Sequence, residues 1–225
     1  MSGSLAISAP LHRRFAALAR GHALGVGLLF ASAVALPLAC GNPVVDRRIE
    51  ALGGENPNVP ASEHHRPGQP CVLCHSVYEG ATPRMSIGGT VFADTVSLLP
   101  VEGVQVVMTD TRGITRTAVT NCVGNFFIEG GAWDEDYPDP QFPLAVEIRC
   151  PTYDESGLLV VDSEGLPVIR VKSMGSVIAR EGSCAACHDM YQGRSLSSTG
   201  WIYCNSPEEP NTFPSVREDC PGEAP

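Results

Sequence analysis

The sequence predicts a mainly β fold, with a seven-strand β-sandwich over residues 86–172. Three observations predict it. The segment consists of short β-type runs separated by turn clusters. Within the runs, apolar and polar residues alternate with a period of two. Helical periodicity of any length is absent there. This pattern, in a segment of this size, is the signature of two packed antiparallel sheets.

The first run is Ile87–Ala93. Val104, Val106 and Met108 then alternate with Gln105, Val107 and Thr109. The turn cluster Asp110-Thr111-Arg112-Gly113 leads into Thr115–Thr120, and Val123-Gly124-Asn125 leads into Phe126–Glu129. In Leu144–Cys150, Val146 and Ile148 share one face while Glu147 and Arg149 share the other. Leu158–Asp162 and Val168–Lys172 complete the seven. Gly89-Thr90-Val91-Phe92, Pro100-Val101-Glu102-Gly103-Val104-Gln105-Val106 and Thr120-Asn121-Cys122-Val123-Gly124-Asn125-Phe126 resemble the carboxypeptidase regulatory-like β-sandwich family. Asn121 stands where that family usually has Asp, and Cys122 is an addition. The resemblance implies a structural or binding module and supplies no catalytic residue.

A five-residue motif lies on each side of the sandwich. Cys71-Val72-Leu73-Cys74-His75 and Cys184-Ala185-Ala186-Cys187-His188 both fit Cys-x-x-Cys-His and resemble the attachment motifs of c-type cytochromes. On a helical turn, residues i and i+3 share a face, so both sulfurs can bond the two vinyl groups of one haem. The following His can ligate the iron. The resemblance implies two c-type haems, held by Cys71, Cys74, Cys184 and Cys187, with His75 and His188 as axial ligands. The expected haem segments are 67–85 and 173–192. An electron carrier usually fills the sixth position as well. His64 and His65, just upstream of the first motif, are candidates for one iron, and Met174 or Met190 for the other. The bland readings are a solvated polar pair in a linker for the two His and ordinary packing for the two Met.

The N-terminus predicts export. Arg13, Arg14 and Arg20 precede an apolar stretch, Ala23–Ala39, and no acidic residue occurs before Asp46. This is the layout of a secretory signal over residues 1–39. Leu36-Pro37-Leu38-Ala39-Cys40 resembles a bacterial lipobox, with Pro37 where Leu is usual. It implies that Cys40 is lipidated and that a membrane anchor is followed by a flexible, Pro-rich linker over 40–66. Simple signal cleavage and a retained anchor are the alternatives. All three lead to the periplasm or the outer cell surface.

Of the nine Cys, Cys40 and the four motif cysteines leave Cys122, Cys150, Cys204 and Cys220. An even remainder suits two disulfides in an oxidising compartment. Of the three possible pairings, Cys122–Cys150 and Cys204–Cys220 are favoured, because each pair lies in its own segment. The second would staple a Pro-rich tail over 193–225. The full chain has a net charge of −10; without residues 1–39 it loses three Arg and no acid, leaving −13. Such a surface does not suit nucleic acid but suits a basic redox partner in the envelope. No phosphate loop, Ser-His-Asp set or HExxH motif is present, so no catalytic residue is expected. Two rival readings make the Cys pairs a zinc site or structural disulfides in a non-haem envelope lipoprotein whose sandwich binds a partner or polysaccharide. A third makes them thiol–disulfide redox centres, without the βαβ pattern that usually accompanies these.

Overall fold

The computed structural model describes residues 42–54, 57–78, 80–188, 200–206, 208–210 and 212–221. The signal segment, Cys40 and Met190 lie outside them. The chain divides into two units after Asp46. A helix, α1, spans Pro43–Ala51. It is nine residues long within the stretch expected to be linker. Its start has a local cause: Asn42 Oδ1 accepts from the N–H groups of Val44 and Val45, and Pro43 pre-sets the first helical φ. Among the described residues, no helix is long and apolar enough to cross a membrane.

The second unit is mainly β. Among the described residues its seven strands are β1 (Met85–Phe92), β2 (Gln105–Thr109), β3 (Thr115–Val119), β4 (Asn125–Glu129), β5 (Ala145–Pro151), β6 (Ile169–Ser173) and β7 (Ile202–Tyr203). They form a four-stranded sheet in the order β3-β2-β5-β6 and a three-stranded sheet in the order β4-β1-β7. The first sheet is antiparallel throughout, with Val106 between Ala118 and Ile148. In the second, β4 runs antiparallel to β1 and β7 runs parallel to it. One core cluster draws on both sheets: Ile87, Val91, Phe126 and Ile128 from one, Val106, Met108 and Ile148 from the other. Fully burying such a side chain stabilises by roughly 1.5–3 kcal/mol.

The loop after β2 is tied to this core by one carboxylate. Asp110 accepts from the N–H groups of Arg112, Ile114 and Gln141, from Arg112 Nε and from the indole of buried Trp133. Burial alone would raise the Asp110 pKa. The hydrogen bonds, with Arg112 foremost, outweigh it and hold the carboxyl at about 2.

Two expectations are corrected here. Leu158–Asp162 is no strand; it makes only the isolated bridges Tyr153↔Leu159 and Val161↔Pro167. Its alternation was sound, but Leu158, Leu159 and Val161 are exposed on an arm that closes through Asx turns at Asp154 and Asp162. The seventh strand comes instead from the tail. The disulfides are Cys122–Cys220 and Cys150–Cys204, not Cys122–Cys150 and Cys204–Cys220. The reason is β7: pairing with β1, it continues into a bond from Cys204 N–H to the Phe92 carbonyl, which delivers Cys204 to buried Cys150. The tail therefore packs on the body and does not close on itself.

Candidate cofactor site

The two motifs are 113 positions apart, yet both pack on consecutive residues of β1. Motif one forms a single helical turn, α2 (Cys71–Cys74), in which His75 N–H bonds back to the Cys71 carbonyl at 3.0 Å. Motif two forms a 3₁₀ turn, Cys184–Ala186, and His188 N–H bonds back to the Cys184 carbonyl at 2.9 Å. Beside it, Gly88 donates to the Gly182 carbonyl and pairs in parallel with Ser183. A Cβ on Gly88 would lie 3.0 Å from the Cys71 Cβ, and one on Gly89 2.8 Å from the Cys184 Cβ. Two glycines in mid-strand are thus where both motif segments approach the backbone. Ser183 stands at the N-cap position of the 3₁₀ turn but makes no capping bond, and its buried hydroxyl has no hydrogen-bond partner among the described residues.

Each motif His is oriented in the same way. His75 is buried, and its Nδ1 donates to the Pro83 carbonyl at 2.7 Å. His188 Nδ1 donates to the Gly200 carbonyl at 2.8 Å. A carbonyl can only accept, so both rings carry the proton on Nδ1, which leaves Nε2 as the nitrogen with a lone pair to offer a ligand. A backbone carbonyl behind the imidazole is the usual support of a metal-bound His. Two cysteines on one turn, followed by an imidazole of fixed tautomer, are the donors that covalent attachment and axial ligation of one haem require. The residues at both motifs fit that group.

No protein family, curated protein or solved structure matches this chain.

The four motif cysteines stand outside both disulfides. Burial pushes the Cys71 thiol up to about 11, and a neighbouring Cys74 adds to the rise. Burial likewise pushes Cys184 up to about 12, with Cys71 the foremost neighbouring charge. A thiol–disulfide redox centre needs a stabilised thiolate, and these two thiols are the reverse. Among the described residues, no three His, Cys, Asp or Glu gather into a set that could hold a bare metal ion.

An open pocket lies in front of motif one, lined by Cys71, Cys74, His75, His65, Met85 and Phe127, among others. His65 faces His75 across it, with ring centres 5.8 Å apart. His64 does not line it; its Nε2 lies 3.9 Å from Glu63. The segment carrying both His is pinned to the three-stranded sheet. Asn121 and Asn125 donate to the Glu63 carbonyl, and Asn125 also to that of His65. Thr90 hydroxyl donates to Asn125 and accepts from Gly68 N–H. Met174 follows β6, its N–H bonded to the Val146 carbonyl, and does not line this pocket. Sequence reasoning overlooked Gly88, Thr90 and Asn125. The Gly88-Gly89 pair inside a strand was the available signal; Thr90 and Asn125 carried none.

Proposed function

We propose that this is a dihaem c-type electron-transfer lipoprotein of a bacterial cell envelope. The observation that carries the reading is the matched geometry of His75 and His188. Each directly follows a turn bearing two cysteines, and each donates Nδ1–H to a backbone carbonyl. In this reading Cys71 and Cys74 hold the first haem, and Cys184 and Cys187 the second. His75 and His188 present Nε2 to the irons. Each haem, when bound, supplies a one-electron iron couple. The chain's part is to fix the imidazole tautomers through Pro83 and Gly200, to exclude water around His75, and so to set the potentials. The two sheets sharing one core support a β-sandwich of the carboxypeptidase regulatory-like type as the scaffold. Cys40 carries the lipid anchor, and the acidic surface faces a basic redox partner.

The test is expression with a c-type maturation system. The product is expected to be red, to stain for haem after denaturation, and to exceed the apoprotein by two haem masses. A colourless product carrying stoichiometric zinc overturns the reading in favour of a non-haem envelope lipoprotein.

A further inference from the structure

We infer that His65 is the sixth ligand of the iron held by His75, an assignment that rests on the haem reading above. Two imidazoles sharing one metal ion have their ring centres ~6 Å apart, because each metal–nitrogen bond is about 2 Å. The His65 and His75 ring centres are 5.8 Å apart, across the pocket that also receives Cys71 and Cys74. Both rings use Nδ1 on a carbonyl, His65 on Ser62 and His75 on Pro83. Nε2 is therefore the ligating nitrogen on both.

The backbone holds this arrangement before any ligand arrives. Asn125 fixes the carbonyls of Glu63 and His65 from β4, and is itself fixed by Thr90 of β1. Arg66, the next residue, adopts φ of 51°, a left-handed conformation that a side-chain-bearing residue rarely takes. Its guanidinium is anchored to the carbonyls of Leu52 and Gly53 and to Gln69. Strained backbone held in place by its surroundings clusters at ligand sites. His64, one residue earlier, is directed at Glu63 instead. One iron needs one distal imidazole, and among the described residues only His65 is in position to supply it. Met85 is the competitor, because it lines the same pocket.

The experiment compares wild type, His65→Ala and His64→Ala, each matured with haem and weighed intact to count haems. Ferric spectra and electron paramagnetic resonance then report spin state. The expected result is two haems in every protein, with half of the iron turned high-spin in His65→Ala and none in His64→Ala. The potential of the altered haem should rise, because a strong imidazole donor is lost. Adding imidazole to His65→Gly should restore the low-spin signal, which a purely structural role for His65 would not produce. A His65→Ala protein that holds two haems with the wild-type spectrum overturns the assignment while leaving the dihaem reading intact. So does a wild-type spectrum with the methionine–iron charge-transfer band at both haems. A wild type without haem overturns both.

Discussion

Replacing Gly89 with Ala should destabilise the protein, although the same change in an open strand would stabilise it. Gly→Ala at a compatible site gains about 0.4–1 kcal/mol, because the unfolded chain loses freedom. At Gly89 the new methyl would stand 2.8 Å from the Cys184 Cβ and 3.0 Å from Phe126 Cζ. Carbon atoms prefer a separation of about 3.5–4.0 Å, so roughly 0.7 Å must be recovered. Neither neighbour yields easily. Phe126 is a buried core side chain on β4, and Cys184 begins a turn whose preceding residue is paired to β1. Overpacking of this kind costs about 1–3 kcal/mol, and it exceeds the entropic gain. The net expected loss is therefore about 1–2 kcal/mol, or a fall in Tm of several degrees for a unit of this size. Gly175→Ala is the control, since a methyl there meets nothing within 4 Å; it should be neutral or slightly stabilising. Urea unfolding of the three proteins measures the midpoints, with an unchanged slope showing that the same transition is compared. A Gly89→Ala midpoint at or above the wild-type value would refute the claim that motif two is seated on the glycine pair.

The Asp110→Ala variant should lose about 3 kcal/mol or more in the same assay, because five N–H donors lose their acceptor and Arg112 its buried partner. Asp110 is depressed to about 2 when folded, against about 3.9 unfolded. Its contribution is complete above about pH 4 and is lost as the pH falls towards 2. Asp110→Asn should flatten the acid limb of a stability–pH curve, and an unaltered limb would contradict the network. Peptide mapping without reduction should recover Cys122 linked to Cys220 and Cys150 linked to Cys204; a Cys122–Cys150 peptide would show that the tail does not dock.

Local pattern made most of the β unit legible. The runs over Val104–Met108 and Leu144–Cys150, read from alternation, and Phe126–Glu129, read from the turn before it, fall on β2, β5 and β4 within a residue or two, because each turn between them carries its own Gly, Asn or Asp signal. What failed was long-range. Val161 alternates like a strand residue, yet it stays half exposed among the described residues. Ile202-Tyr203 is too short to show a period, and its place beside β1 follows from packing alone. The disulfides failed for the same reason, since proximity in sequence is no guide once the tail docks. At the site, the motif residues were plain from their spacing. That His65 and not His64 lines the pocket was not, because adjacent residues differ only in the direction that Asn125 and Arg66 impose on the backbone.

The bridges are nested: Cys150–Cys204 lies inside the span of Cys122–Cys220. Neither joins cysteines that are neighbours along the chain. An oxidase acting in order of emergence would link Cys71 to Cys74, then Cys122 to Cys150, and every such bond is non-native. Both correct bonds must wait until β7 and the last residues have been delivered. If the chain folds in an oxidising compartment, as the proposed export requires, the nested pairing calls for proofreading. Haem attachment as proposed would need a reductant to keep the motif thiols open, and an isomerase would have to undo an early Cys122–Cys150 bond. Yield in a host lacking that isomerase should fall far more steeply than for a chain of equal cysteine content with sequential pairing.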